Sequence, residues 1–180
     1  LSFGADGQNA ELNGNQTFPI AFPVSKTFNN ILPNAQLNYR FSKSKNLRLY
    51  YRTNTNIPSI SQLQSVLDIS NPVQVRTGNV DLKQTFSNNV NIRFGGFNSE
   101  TQRNAMLFVN GMQTNNYISN ATYILNNDSI IQGYTVGAGS RLTKPVNLNG
   151  YYTLRVFGVY GFPLKVLKSN MNFNGGLNYA

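Results

Sequence analysis

Neither cysteine nor histidine occurs anywhere in the 180 residues. Without cysteine there are no disulfides and no thiolate metal sites. Without histidine there is no Ser-His-Asp machinery and no imidazole ligand, so no cofactor is expected. Charge is also scarce, at 12% of residues, about half the usual share for soluble domains. The six acids are Asp6, Glu11, Asp68, Asp81, Glu100 and Asp128, and no two sit close together along one strand face. Paired-carboxylate catalysis therefore has no local footing, and the chain is not expected to be an enzyme. No apolar run approaches the roughly 20 residues of a membrane-spanning helix. The opening Leu1-Ser2-Phe3-Gly4 reads as the inside of a strand and not as a signal peptide, so the chain is expected to be a piece of a longer protein. Gly137-Ala138-Gly139 lacks the strand-to-helix setting of a phosphate cradle.

Hydrophobic residues make up 40% and aromatics 12%, which excludes a disordered chain. The net charge of +9 comes from lysines and arginines scattered along the sequence, which favours a solvated or anionic-lipid-facing surface over a nucleic-acid site. Asparagine fills the polar half of several strands. The clearest pattern lies between Ile31 and Asn56. Ala35, Leu37, Tyr39 and Phe41 alternate with Asn34, Gln36, Asn38 and Arg40. After the turn at Ser42–Asn46, Leu47, Leu49, Tyr51 and Thr53 alternate with Arg48, Tyr50, Arg52 and Asn54. Period two means a strand with one apolar and one polar face, and two such runs across a short turn predict a hairpin. Such a hairpin fits a soluble core or a barrel wall equally well.

Similar alternation predicts strands at Leu1–Asn13, from Phe86, over Gln102–Leu125, from Tyr152, and over Asn170–Tyr179. The connections alternate in length. Gly14–Asn30, Thr55–Leu82 and Asn126–Pro145 are long, and those centred on Ser44, Ser99 and Pro163 are short. Pro19 and Pro23 argue against regular strand in the first of these. Pro58 and the residues after it allow one helical turn. In an antiparallel meander, alternate connections fall at opposite ends. The pattern predicts an all-β, up-and-down sheet of about seven long strands, with Ser44, Ser99 and Pro163 at one end and Pro19, Asn71 and Gly137 at the other. That asymmetry and strands of about ten residues suit a transmembrane β-barrel wall. The alternative is a soluble β-sandwich or carbohydrate-binding module, with Tyr39, Tyr51, Tyr152, Tyr160 and Tyr179 as ordinary core aromatics and not an interfacial girdle.

The chain resembles a known family at Tyr51-Arg52-Thr53-Asn54-Thr55-Asn56-Ile57-Pro58-Ser59-Ile60-Ser61-Gln62-Leu63-Gln64, at Asn71-Pro72, and at Thr77-Gly78-Asn79-Val80-Asp81-Leu82-Lys83-Gln84. Lys144-Pro145-Val146-Asn147-Leu148-Asn149-Gly150-Tyr151 and Tyr160-Gly161-Phe162-Pro163-Leu164-Lys165 extend the match. These stretches resemble the outer-membrane β-barrel proteins of Bacteroidetes, relatives of TonB-dependent receptors. Val80 departs from the proline more common in that family. The resemblance implies location in the bacterial cell outer membrane, a role in ligand uptake, and a parent barrel of roughly 22 strands with a plug and a TonB-binding segment. On that view residues 1–180 are a single internal segment of an incomplete barrel. Its partners are outer-membrane lipids and the remaining strands and plug, with TonB-type energy coupling through segments outside this chain. Its unpaired edges are open to association with another copy.

For a membrane wall, Leu37, Leu49, Ile92, Leu154 and Phe173 are expected to face lipid. Arg40, Arg52, Arg93, Arg155 and Asn172 are expected to face the lumen, since a charge at the bilayer midplane costs about 2–4 kcal/mol. Ligand binding is expected at the long-loop end, through Gln62, Gln64, Arg76 and Asn79 of the 55–83 loop. Connections of this length are usually functional or disordered. Ile57, Ile60, Leu63, Val66, Leu67, Ile69 and Val73 give this one enough apolar groups to fold. The same segment, folded inward, would only brace the lumen.

Overall fold

The computed structural model describes residues 1–16 and 22–180, so the expectation for Pro19 lies outside the described residues. β1 (Ser2–Gln16), β2 (Phe22–Ser42) and β3 (Lys45–Asn56) come first. One helical turn, α1 (Ile60–Leu63), and the short β4 (Gln74–Arg76) precede β5 (Thr85–Asn98) and β6 (Arg103–Asn115). Then come β7 (Tyr117–Ile124), β8 (Ser129–Ile131), β9 (Tyr134–Val136), β10 (Arg141–Leu148), β11 (Tyr151–Leu164) and β12 (Ser169–Tyr179). Seven strands form one antiparallel sheet in the order β1-β2-β3-β5-β6-β11-β12. β4, β10 and β7 form a second, small sheet, and β8 and β9 a hairpin.

The ladder carries the alternation from strand to strand. Leu37 pairs with Leu49, Leu49 with Ile92, Ile92 with Val109, Val109 with Val156, and Val156 with Leu177. Leu154 lies one pleat from Val156, and Phe173 sits opposite Tyr160 on the same face. The polar face carries Arg40 opposite Asn46, Arg52 between Asn34 and Asn89, and Arg155 between Asn110 and Asn178. Asn172, opposite Gly161, is on that face too. Arg48 lies directly opposite Arg93, an unfavourable like-charge pair. The Arg93 guanidinium is 5.7 Å from the centre of the Phe108 ring, a stacking contact that offsets part of that repulsion.

Among the described residues, no element packs over the apolar face. Leu154 is 43% exposed, Phe173 57% and Leu177 76%. The buried hydrophobic residues are Val24, Leu63, Leu67, Val75, Leu82 and Val136, and none lies on that face. A soluble sandwich needs a second sheet there, and the described residues supply none.

Tight turns close β2–β3, β5–β6 and β11–β12 at one end, where the Phe97 amide donates to the Ser44 carbonyl at 2.9 Å. The connections containing Asn71 and Gly137 leave from the other end, as the alternation predicts. Three sequence expectations are corrected. The first long connection is mostly strand: β1 and β2 stay paired up to Gln16↔Phe22. Pro23 is tolerated there because β3 has already parted from β2 beyond Arg52↔Asn34, leaving that side of β2 without a ladder. The run Gln102–Leu125 is not one strand. It breaks at Asn116, which adopts φ 52, and β7 leaves the main sheet. The Asn126–Pro145 connection is largely strand, holding β8, β9 and the start of β10.

The long connections fold into a cap. Ser59 and Gln62 form a reciprocal capping box that starts α1, as Pro58 followed by polar residues suggests. Leu63 and Leu82 then pack with Val24 and Leu12 of the projecting β1–β2 hairpin and with Ile118. A second cluster joins Leu67, Val75 and Val136 to Leu125, Ile131 and Leu142. Asn147 fastens the two connections together. Its carbonyl oxygen accepts from the Lys83 amide at 2.8 Å, and its NH2 donates to the Lys83 and Asn116 carbonyls at 3.0 and 2.8 Å.

Leu63 is fully buried, so Leu63→Ala should destabilise the cap by about 2–5 kcal/mol. Hydrogen exchange should report faster exchange throughout α1 and β4 while β5 and β6 keep their protection.

Candidate functional site

The cap's small sheet has two faces by the same period-two rule. Val75 of β4 pairs with Leu142 of the parallel strand β10, and both turn toward the second apolar cluster. The residues between them turn the other way. Gln74 pairs with Arg141, and Arg76 with Thr143; across β10, Thr143 pairs with Thr122 and Pro145 with Asn120. These side chains line a cavity of about 700 Å³ closed on its other side by Ser61, Gln62, Gln64, Val66, Asp68 and the Thr77-Gly78 backbone. The lining is mostly amides, hydroxyls and charged groups, with Val66 and Pro145 as its apolar side chains and no aromatic residue.

Of the four binding residues expected from sequence, Gln62, Gln64 and Arg76 line this cavity. Asn79 does not. Its NH2 donates to the Pro145 carbonyl at 3.0 Å and its oxygen accepts from the Asp81 amide at 3.0 Å, so the side chain is spent on holding the loop. Arg141, Asn120, Thr122 and Thr143 escaped sequence reasoning because β10 pairs in parallel with β4, a partner far away in sequence. A usable signal was present: Leu142, Lys144, Val146 and Leu148 alternate with Arg141, Thr143, Asn147 and Asn149 around Pro145.

Two features fix the cavity wall. Gly78 donates its amide to the Gln64 carbonyl at 3.0 Å, and a Cβ there would overlap that same oxygen, so no larger residue fits without moving backbone. Asp68 and Arg76 form a backbone bridge with amide–carbonyl bonds of 2.7 and 3.1 Å. The Asp68 carboxylate accepts from Ser70, through its hydroxyl and through its amide at 3.0 Å. Those two bonds, with a smaller attraction from Arg76, hold Asp68 below the usual carboxylate value against a slight desolvation. Asp68 therefore stays ionised beside Arg76 and Arg141.

On the main sheet, the expected lumen-facing residues Arg40, Arg52, Arg93 and Arg155 share the polar face, and Leu37, Leu49, Ile92, Leu154 and Phe173 share the apolar one. Side-chain amides link neighbouring strands across the polar face: Asn89 to Asn54 at 2.6 Å and Asn110 to Asn91 at 2.8 Å. Under the cap, the buried Ser87 and Thr114 hydroxyls bond each other at 2.9 Å. The tyrosines of the apolar face sort by height. Tyr152 stacks on Tyr179 toward the cap, with centroids 5.5 Å apart. Tyr39 and Phe41, Phe41 and Phe94, Tyr160 and Phe162, and Phe162 and Phe173 form ring contacts near the tight turns. From Tyr152 to Phe162, ten residues along a strand tilted about 40° span about 25 Å of height, the thickness of a barrel's apolar band.

A family model described as "Outer membrane protein beta-barrel family" matches residues 2–180. Among solved structures, a double mutant of the Serratia marcescens hemophore receptor HasR, in complex with its hemophore HasA and heme, has a similar backbone. The TM-score is 0.55 at 12% sequence identity, over 97% of this chain and 29% of the receptor chain. At that identity the likeness concerns the fold alone, and this chain spans less than a third of the receptor's length. No curated protein matches it.

Because the folded value of Asp68 is depressed, its contribution to the loop is full above the unfolded value of about 3.9 and is lost as pH falls through the lower folded value. Amide exchange at Arg76, whose N–H donates to the Asp68 carbonyl, should accelerate only in that acid window. In Asp68→Asn the acid-dependent step should be gone.

Proposed function

We propose, from the premise that this chain belongs to the outer membrane protein beta-barrel family, that it forms a stretch of transporter-like barrel wall whose cap gathers ligand for uptake. It is a protein of the bacterial outer membrane. The observation that carries the proposal is the pairing of an uncovered apolar face, aromatic at two heights, with a polar cavity at the long-connection end. On this reading Leu37, Leu49, Ile92, Leu154 and Phe173 contact lipid. Arg40, Arg52, Arg93 and Arg155 face a watery lumen, where they pair across the wall or are solvated and do not bind ligand. Residues 1–180 act as one wall segment together with its cap. The 29% share of the receptor chain supports treating it as part of a larger barrel. The remaining strands, a plug and TonB-type coupling of the Bacteroidetes receptor kind would then come from other segments, as the family resemblance implies.

The cavity supports a polar, hydrogen-bonding ligand. Gln62, Gln64, Gln74, Asn120, Thr122 and Thr143 offer both donors and acceptors. Arg76 and Arg141 outnumber Asp68, which favours a ligand with anionic groups. The structurally similar receptor is in complex with heme, but this chain has no histidine and the cavity lining has no tyrosine or methionine. An iron porphyrin would find no axial ligand among these groups.

Two measurements test the proposal. Ile92→Arg should destabilise the folded protein in lipid by about 2–4 kcal/mol in denaturant titration, while Asn174→Arg on the polar face should change little. Equal effects would refute the facing. Replacing Ser61–Thr77 with a short Gly/Ser linker should abolish ligand uptake by cells while heat-modifiable gel mobility still reports a folded barrel. Unchanged uptake would leave the cap only a brace.

A further inference from the structure

The tight-turn end is strongly basic. Lys43, Lys45, Arg103, Lys165 and Lys168 are exposed there, against Glu100 as the single acid. Glu11, Asp68, Asp81 and Asp128 belong to the opposite half, nearer the cap. Two of these bases stand on the apolar face itself. Lys45 lies opposite Gly96, and Arg103 opposite Asn98. The Lys45 stem crosses Gly96: its Cγ and the edge of the Phe94 ring each come within 3.5 Å of where a Cβ on Gly96 would stand. The lysine stem thus lies beside Phe94, whose ring in turn meets Phe41, a setting in which a long cationic side chain can cover apolar surface while its charge stays in water.

The turn between β11 and β12 is amphipathic in its own right. The 3₁₀ turn Lys165–Leu167 is closed by Lys168, at φ 44, whose amide donates to the Lys165 carbonyl at 3.3 Å. This geometry holds Val166 and Leu167 outward, 92% and 67% exposed, between two lysines. Two branched apolar side chains at the tip of a tight turn are costly in water. In the interfacial layer of a membrane they are accommodated beside charged neighbours.

We infer that the tight-turn end is a binding surface for anionic phospholipid headgroups. This rests on the reading that the apolar face contacts lipid. Arg103 offers a planar fork that matches a phosphodiester, and Lys45, Lys165 and Lys168 add point charges at the same height. Val166 and Leu167 insert between headgroups, and the aromatic row above them sits at the interface. In barrels the short turns lie on the periplasmic side, so the lipids held are those of the inner leaflet. A nucleic-acid surface would need its bases in a patch away from the apolar face.

The test uses the full chain, folded in detergent micelles and titrated with phosphatidylglycerol, phosphatidylcholine or soluble glycerol phosphate, with bound lipid counted by native mass spectrometry. Phosphatidylglycerol should be preferred over phosphatidylcholine by about tenfold or more, and the preference should weaken with salt. Lys45→Gln, Arg103→Gln, Lys165→Gln and Lys168→Gln combined should remove it. Val166→Ser with Leu167→Ser should weaken phosphatidylglycerol binding and leave glycerol phosphate unaffected. No preference, or a preference that survives the fourfold variant, overturns the inference. So does glycerol phosphate binding as tightly as the lipid, since that would be an anion site only. Heat-modifiable mobility is read in parallel. If the unaltered chain fails to fold in micelles, it is the barrel-wall reading that falls.

Discussion

The in-register antiparallel ladder is the constraint on which everything else depends. A strand's side chains alternate faces, so a slip of one residue would carry Leu49 to the polar face and Arg48 to the apolar one. Five successive pairings hold the row from Leu37 to Leu177 on one side without such a slip. The irregularity between Arg40 and Ser42 falls at the turn, below the apolar band. The aromatic rows, the asparagine links between strands and the lysines beyond the band all inherit their positions from this ladder.

Where the ladder weakens, side chains take over. Pro33 has no N–H to give, and the buried Thr53 hydroxyl donates to its carbonyl at 2.9 Å. Above that level β2 leaves β3, and an amide cluster of Gln8, Asn30 and Gln84 bridges to the start of β5. Lys26 reaches the Val80 and Leu82 carbonyls from the same hairpin. The projecting β1–β2 hairpin is therefore the cap's rear wall.

The main sheet was legible because each of its strands states its own facing. Met171, Phe173, Leu177 and Tyr179 against Asn170, Asn172, Asn174 and Asn178 need no partner to be read. Even the blurred strand β6 obeys its register. Met106 and Phe108 stand on the polar face, where Phe108 lies beside Phe157 at 6.4 Å and beneath Arg93. The cap was less legible. Its elements are three to eight residues long, and the pairing that makes the cavity joins β4 to β10 in parallel across more than a third of the chain. Local propensity carries no trace of such a contact. Gln62, Gln64 and Arg76 were readable as polar groups on a segment able to fold, whereas Asn79 looked the same and serves the backbone. Pro23 misled because a proline bars only strands that need a donor on that side.

The cap's place in the chain has a consequence for how the molecule assembles. Hairpins β2–β3, β5–β6 and β11–β12 each close through a tight turn and rest on contacts local in sequence, the kind that form early. The cap's own local elements, α1 and the β8–β9 hairpin, are short, and what ties its two connections together is not local. Its fastenings join residues 64 to 68 apart, Lys83 to Asn147, Asn79 to Pro145 and Pro72 to Ser140. Closing loops of that size is entropically unfavourable until the hairpins have already been brought edge to edge. Three hairpins must therefore dock as preformed plates before the cavity exists, and a nascent wall passes through a stage in which it is structurally sound and has no capacity to recognise a solute.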